Sequence, residues 1–178
     1  MTLSTHAIVG ATVAQLFPTH PVVAFLGAFA SHLAIDSLPH WDYKILSLEK
    51  NVGEPLKTDI AFGKYFLKDL TRIGTDALLG IILCIAIFQY FFDFFATSAP
   101  LYITLIGAVA GILPDPLAFV YWKTRSRLLL PLQQFHIWIH GKNIYPKVWI
   151  GLILQLALIM SVGLIVYLIL QENGPLFV

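Results

Sequence analysis

The distribution of apolar residues along the chain is the strongest constraint on its fold. The chain has 178 residues, of which 58% are hydrophobic and 12% are charged, and its mean hydropathy is +0.79. A helix needs about 20 apolar residues to cross a bilayer. Five apolar segments, some of them shorter than that, are present: Ser4 to Phe17, Thr19 to Leu38, a third that begins near Lys57 or Thr58 and is fully apolar from Ala77 to Phe95, Leu101 to Leu113, and Pro146 to Leu170.

We therefore predict an all-α, polytopic membrane helix bundle with about five transmembrane helices, forming a single integral-membrane domain over residues 1–178. The fourth helix is expected to stop at Pro114-Asp115-Pro116, because proline disrupts a helix interior. The half-polar stretch from Arg125 to Gly141 predicts an interfacial or re-entrant helix. The net charge of +1 gives no argument for a nucleic-acid partner, and the expected partners are membrane lipids. The oligomeric state is left open.

The basic residues predict which way the bundle faces. They all fall in two connections, the one between the second and third segments and the one between the fourth and fifth. By the positive-inside rule, both connections are cytoplasmic, with the N-terminus inside and the C-terminus outside. The residues are Lys44, Lys50, Lys57, Lys64, Lys68, Arg72, Lys123, Arg125, Arg127, Lys142 and Lys147.

Nearly all of the histidines and a set of aspartates fall at this same cytoplasmic end of the apolar segments. Ionisable residues at membrane depth are costly, and by default they mark a functional site. Five separate elements would deliver these groups to one layer of the molecule. They are His6, His32, Asp36, His40, Asp42, Asp76, Asp115, His136 and His140.

The spacing of these residues is typical of a metal site. His32 and Asp36 are four residues apart, as are His136 and His140, so each pair would project from one face of a helix. Imidazole and carboxylate ligands without thiolate suit a divalent metal, with zinc preferred and manganese or iron as alternatives. The number of candidates fits one metal ion with acid–base groups, or two neighbouring ions.

Small residues predict that the helices bearing these groups pack closely. Gly10 and Ala14 lie on the same stripe of the first helix as His6, and Gly107 and Gly111 share a face with Asp115. Small residues at four-residue spacing let membrane helices approach one another. We expect the first and fourth helices to pack against the second.

Three motifs resemble the YdjM-like inner-membrane proteins. They are Thr5-His6-Ala-Ile-Val-Gly10, Ser31-His32-x-x-x-Asp36-x-x-Pro39-His40-x-Asp42 and Gly111-Ile-Leu-Pro-Asp115. That family is described as membrane-bound metal-dependent hydrolases of the bacterial inner (plasma) membrane, so the resemblance implies that location and hydrolase chemistry, without a substrate. The His-x-x-x-Asp run followed by a further histidine is also similar to part of the zinc-dependent phospholipase C and nuclease pattern, although this chain has His140 where that pattern has a glutamate.

Several residues have a purely structural alternative. Asp76 could pair with Arg72 one turn earlier on the same helix, and Asp115 could simply end a helix. His136 and His140 could belong to an amphipathic interfacial helix. Asp42 could be a metal ligand or could accept a hydrogen bond from a ligating histidine.

The resulting expectation is a membrane-embedded metal-dependent hydrolase that acts on an ester or phosphoester, lipid-linked in view of the depth of the site. The predicted metal ligands are His6, His32, Asp36, His40, Asp115, His136 and His140, with Asp42 and Asp76 as catalytic acid–base residues. A divalent-metal transporter or sensor, or a metal-stabilised membrane protein without catalysis, is the alternative.

Overall fold

The computed structural model describes residues 1–91, 99–140 and 147–176, and its architecture is all-α, as predicted. A two-stranded antiparallel sheet, β1 (Leu48–Glu49) with β2 (Asp59–Ile60), is the β-structure in these ranges. A short 3₁₀ helix over Pro55–Lys57 precedes β2, and a π-helical turn over Ala86–Phe91 extends the third helix. The α-helices are α1 (Leu3–Ala14), α2 (Pro21–Asp36), α3 (Phe66–Ile85), α4 (Leu101–Ile112), α5 (Pro114–Thr124), α6 (Leu130–Ile139) and α7 (Val148–Asn173).

Two of the helices are long and apolar enough to cross a membrane. These are α3 with its π-helical extension, Phe66–Tyr90, and α7, Val148–Asn173. A third span is possible if α4 and α5, which meet at a bend of 45°, are counted together. The remaining apolar helices, α1 and α2, have 12 and 16 residues. The structure thus confirms the all-α class, with two or three membrane-capable spans among the described residues, and the figure of about five transmembrane helices stays a prediction.

Helix α1 forms the centre of the bundle. It packs against α2, α3, α4 and α7, and ten of its twelve residues are buried. Its length is only about 18 Å, which is shorter than the apolar thickness of a bilayer. A short helix is tolerated at membrane depth when protein surrounds it, because its end groups then find protein partners. At the first turn of α1, the Asp76 carboxylate accepts hydrogen bonds from the backbone N–H groups of Leu3 (2.6 Å) and Ser4 (3.3 Å).

The predicted packing of α1 and α4 against α2 is confirmed, but the small residues lie in the contact between α1 and α4 themselves. A methyl group added at Gly10 would lie 2.5 Å from the Gly107 carbonyl oxygen. A methyl group at Gly107 would lie 2.5 Å from the Ala14 side chain, and one at Gly111 would collide with the His6 carbonyl oxygen. Backbone therefore meets backbone at this crossing, which brings the His6 turn of α1 beside the end of α4.

Two predicted helix boundaries are wrong. The third helix begins at Phe66 rather than near Lys57, because residues 58–60 are held by contacts from elsewhere in the chain. The fourth helix does not simply stop at Pro114. It bends there and resumes as α5, since the prolines at 114 and 116 remove helical N–H donors but suit a first helical turn. The predicted helix after Arg125 is α6. The predicted ends at Phe95, Gly141 and Pro146 lie outside the described residues.

Replacing Gly107 by alanine tests the helix crossing. The added methyl group overlaps Ala14 and the Gly10 carbonyl, and overpacking of this kind costs about 1–3 kcal/mol in the free energy of unfolding. The matched control is Gly163→Ala in α7, where nothing lies within 4 Å of the added methyl group. Thermal unfolding in detergent should show a lower midpoint for Gly107→Ala and an unchanged or higher one for Gly163→Ala. Equal midpoints would contradict the close approach.

Candidate metal centre

The carboxylate of Asp36 is the centre of a buried cluster at one end of the bundle. Asp36 is 1% exposed, and the Nε2 atoms of five histidines lie within 4 Å of its two oxygens. Oδ1 faces His6 at 3.1 Å and His40 at 3.9 Å, together with the Met1 amine at 3.4 Å. Oδ2 faces the other imidazoles, at 3.2 Å, 3.2 Å and 3.8 Å, from His32, His136 and His140.

These side chains are delivered by several separate parts of the fold. His6 comes from the second turn of α1, and His32 and Asp36 come from the last turns of α2. Pro39 follows α2 and ends it, so that the next residue, His40, turns back toward Asp36. Asp115 stands at the α4–α5 bend, with Oδ1 3.7 Å from His32 Nε2. The predicted convergence of histidines and aspartates at one end of the helices is confirmed.

Backbone contacts orient two of the imidazoles. His32 Nδ1 lies 2.7 Å from the Gly111 carbonyl oxygen, and His40 Nδ1 lies 2.8 Å from the Leu38 carbonyl oxygen. Because a carbonyl oxygen can only accept, Nδ1 carries the proton in both rings. In the neutral ring, the lone pair on Nε2 then points toward the Asp36 carboxylate. Histidines that ligate metals are commonly held in this way.

The facing lone pairs fit a cation. Within the described ranges, the buried Nε2 atoms of His6, His32 and His40 have no hydrogen-bond partner, although each lies close to a carboxylate oxygen. Buried polar atoms are normally satisfied, so such groups require an explanation. Five imidazoles cannot all be protonated around one or two carboxylates without strong repulsion. With neutral imidazoles, the five rings and two carboxylates would form a negative, nitrogen- and oxygen-lined site that suits a divalent metal.

The ligand atoms fall into two groups that share Asp36. One atom from each of His32, Asp36, Asp115 and His136 can be chosen so that all four lie within 4.8 Å of one another. The same holds for Asp36, His40 and His140. A carboxylate has two oxygens, so one aspartate can contribute a ligand to each of two neighbouring ions. The two groups therefore have the composition of a mononuclear or a carboxylate-bridged dinuclear site.

His6 lies in the cluster but outside both groups. Its ring stacks on the His32 ring with centroids 3.8 Å apart and an interplanar angle of 23°. In this position it supports the His32 ring and contacts Asp36 Oδ1. Its predicted ligand role stays a prediction.

The two predicted acid–base residues, Asp42 and Asp76, also lie outside both groups. Asp42 follows the cluster in the chain and interacts electrostatically with Asp36 and Asp115. Burial raises the pKa of the Asp42 carboxyl group above its ordinary value. Asp76 caps α1 and accepts a further hydrogen bond from the Tyr43 hydroxyl at 3.3 Å. Their catalytic roles stay predictions.

The suggested ion pair between Asp76 and Arg72 is replaced by other contacts. The Arg72 guanidinium lies over the Tyr43 ring, 4.6 Å from its centroid, and its Nη1 reaches the Lys44 carbonyl oxygen. Asp76 instead binds backbone N–H groups at the positive end of a helix, which favours a carboxylate. The pairing inferred from four-residue spacing was thus wrong, because both side chains have better partners on neighbouring elements.

Gln155, in the middle of the apolar helix α7, is a supporting residue that the sequence analysis missed. It is buried, and its Oε1 accepts hydrogen bonds from the Thr2 N–H (3.1 Å), the Thr2 hydroxyl (2.9 Å) and the Thr5 hydroxyl (2.8 Å). Its Nε2 donates to the Trp41 carbonyl oxygen at 3.0 Å. Gln155 therefore links α7 to the turn before His6 and to the residue after His40. The sequence contained a signal for this role, because a polar residue inside a long apolar segment is unusual.

Basic residues at the C-terminal end of α5 anchor the small sheet rather than the cluster. Arg125 adopts a left-handed conformation with φ of 51° at the end of α5. Its guanidinium donates to the carbonyl oxygens of Leu56, Lys57 and Thr58. Lys123 pairs with Asp59 at 2.8 Å, and this hydrogen bond lowers the pKa of the exposed Asp59 carboxyl group.

Comparison with known proteins finds no match for this chain. No protein-family model matches it, and neither a curated protein nor a solved structure is similar to it at a significant level.

The Asp36→Asn substitution tests the centre of the cluster. The amide keeps the shape of the side chain but removes the charge and one acceptor from both ligand groups. Loss of a residue that only orients a ligand lowers metal affinity about 10–100-fold. Loss of the shared ligand itself should lower the affinity further. Elemental analysis of protein stripped with chelator and reloaded with zinc or manganese should find metal in the wild type and almost none in Asp36→Asn. The control, Asp59→Asn, alters an exposed carboxylate away from the cluster and should retain the metal.

Gln155→Leu tests the support from α7. It leaves the hydrogen-bonding groups of Thr2, Thr5 and Trp41 without their partner, and unsatisfied buried groups cost about 1–3 kcal/mol each. We expect a lower unfolding midpoint and weaker metal binding by titration. Gln171→Leu, an exposed position on the same helix, should change neither. A Gln155→Leu protein with wild-type stability and affinity would mean that the network does not position the site.

Proposed function

We propose that this chain is an integral-membrane metallohydrolase, as the resemblance to the YdjM-like proteins implies. The proposed location is the bacterial inner membrane, with about five transmembrane segments, a cytoplasmic N-terminus and an external C-terminus. The cluster lies at the end of the helices from which the basic connections emerge, and this supports a site at the cytoplasmic interface. The proposed substrate bond is an ester or phosphoester carried by a membrane lipid.

One observation carries the proposal. The ligand cluster is closed on one side and open on the other. The side chains of Asp36, His32 and His6 are at most 1% exposed, whereas those of Asp115 and His140 are 40% and 38% exposed. A structural metal is enclosed by protein ligands, while a catalytic metal keeps a position open for water or substrate. The half-exposed edge formed by Asp115 and His140 supports the second arrangement.

The chemistry follows from the residues around the cluster. A bound divalent cation, proposed to be zinc, lowers the pKa of water toward neutrality and polarises the substrate oxygen. In the proposed mechanism, His32, Asp36, Asp115 and His136 would hold one ion, and Asp36, His40 and His140 would hold a second one if it is present. Asp42 accepts the proton of the attacking water and returns it to the leaving oxygen. Asp76 holds the start of α1 and the Tyr43 hydroxyl in place.

A comparison of variants tests catalysis separately from metal binding. Protein in lipid nanodiscs, stripped and reloaded with zinc or manganese, is assayed on phosphatidylglycerol, phosphatidic acid and bis(p-nitrophenyl) phosphate. We expect turnover that a chelator abolishes. Asp36→Asn should lose metal and activity together. Asp42→Asn should keep the metal and lose about 10²–10⁴-fold in rate, which is the usual contribution of a general acid or base.

The control is again Asp59→Asn, which should behave as the wild type. Metal binding without turnover of any of these substrates would contradict the proposal and favour a transporter, a sensor or a non-catalytic metal site. Uptake of zinc into sealed vesicles containing the protein would then separate transport from the other two.

A further inference from the structure

A narrow groove runs along α7 beside the metal centre. It has a volume of about 170 Å³ and lies between α7 and the segment that follows α2. Apolar side chains form both of its walls, with Leu38 and Pro39 on one side and Leu154 and Leu158 on the other. Two polar residues also line it, His40 and Gln155. The groove thus joins an apolar surface to a member of the cluster.

The α7 wall of this groove adjoins the exposed apolar surface of α7. Leu154 is 42% exposed, and its neighbours Leu152, Ile153 and Leu156 are 48–59% exposed. Helix α7 has the length and hydropathy of a membrane span, so the medium that meets these side chains is lipid hydrocarbon. An apolar groove open to that medium is filled by an acyl chain rather than by water.

The groove is also lined by a member of a metal-ligand group. His40 is 3% exposed, and its Nε2 lies 3.9 Å from Asp36 Oδ1 within the group of Asp36, His40 and His140. A larger cavity of about 320 Å³, lined by Pro21, Val22, Phe25 and Ile106, has no ionisable side chain in its lining and lies at the start of α2, away from Asp36. A chain bound there could not present its polar end to the cluster.

We infer that the groove between α7 and residues 38–40 binds one hydrocarbon chain of a membrane lipid and presents the adjoining ester or phosphoester to the Asp36–His40–His140 group. The substrate class is then a lipid whose scissile bond lies next to a long chain, rather than a soluble phosphoester. This inference rests on the proposed function, because it assigns a role to the groove in substrate binding.

Photolabelling tests the groove without requiring turnover. The probe is phosphatidylglycerol with a diazirine in one acyl chain, incorporated into nanodiscs with the full-length protein, and labelled peptides are mapped by mass spectrometry. Wild-type protein should be labelled more strongly at residues 38–40 and 151–158 than along the rest of α7. Leu154→Trp fills the groove and should reduce this labelling about tenfold, the loss expected when two methylene groups leave apolar contact.

Leu156→Trp is the matched control, since Leu156 is exposed on the same helix but does not line the groove. It should leave the labelling pattern and the metal content unchanged. Leu154→Phe serves as a second variant with a smaller change in volume, and it should give an intermediate loss. Helix content and unfolding midpoint are measured for each variant.

The outcomes separate the groove from the proposed hydrolase activity. Labelling spread evenly over α7, or equal in Leu154→Trp and Leu156→Trp, would overturn the groove as a lipid site, whether or not metal-dependent turnover is found. Groove labelling that depends on Leu154, in a protein without turnover, would uphold the lipid site while the hydrolase proposal fails. Turnover of bis(p-nitrophenyl) phosphate that Leu154→Trp leaves intact, with lipid turnover lost, would uphold both.

Discussion

The contact between a buried aspartate and the histidines that surround it is the interaction on which the rest of this structure depends. Asp36 is almost inaccessible to solvent, and five imidazole nitrogens lie within 4 Å of its oxygens. An isolated buried carboxylate is strongly unfavourable unless it is paired, hydrogen-bonded or bound to a metal. The elements that carry these histidines must therefore assemble around Asp36, which fixes the relative positions of α1, α2, α6 and the segment after α2.

Close backbone contact between helices makes this assembly possible. At Gly10, Gly107 and Gly111 the absence of a side chain lets α1 and α4 touch. The same approach places the Gly111 carbonyl where it accepts the proton of His32 Nδ1. Gly111 thus contributes both to the close packing of α1 and α4 and to the orientation of the His32 ring. Asp76 and Gln155 add to this by holding the first turn of α1 from α3 and α7.

The cluster combines a rigid, buried side with a half-exposed edge. The rigid side consists of stacked and backbone-anchored imidazoles, whereas Asp115 and His140 border the surface. Beside it, the α7 groove with its apolar walls adjoins the exposed apolar surface of a helix that is long enough to cross a membrane. The α4–α5 bend that carries Asp115 is a broken helix, a feature that transporter sites also have.

Some features of this chain could be predicted from local patterns in its sequence. The all-α class, the cluster residues and the close packing of α1 and α4 against α2 follow from hydropathy, four-residue spacing and the cost of ionisable groups at membrane depth. Other features depend on partners that are remote in sequence. Residues 58–60 pair with β1 and bind Lys123 and Arg125, which delays the start of α3 to Phe66. Likewise, the Asp76 carboxylate accepts hydrogen bonds from the N–H groups of α1 and does not pair with Arg72.

The amino-acid sequence by itself determined which residues could form the centre, because hydrophobic periodicity and helix length place every one of them at the same end of the bundle. Only the tertiary structure decided how these residues divide into ligand groups. Asp36 is shared by two groups, and His6 stacks on His32 outside both. The reason is physical. Depth along a helix is a property of one segment, whereas the direction of a lone pair and the distance between two ligands depend on how several helices pack together.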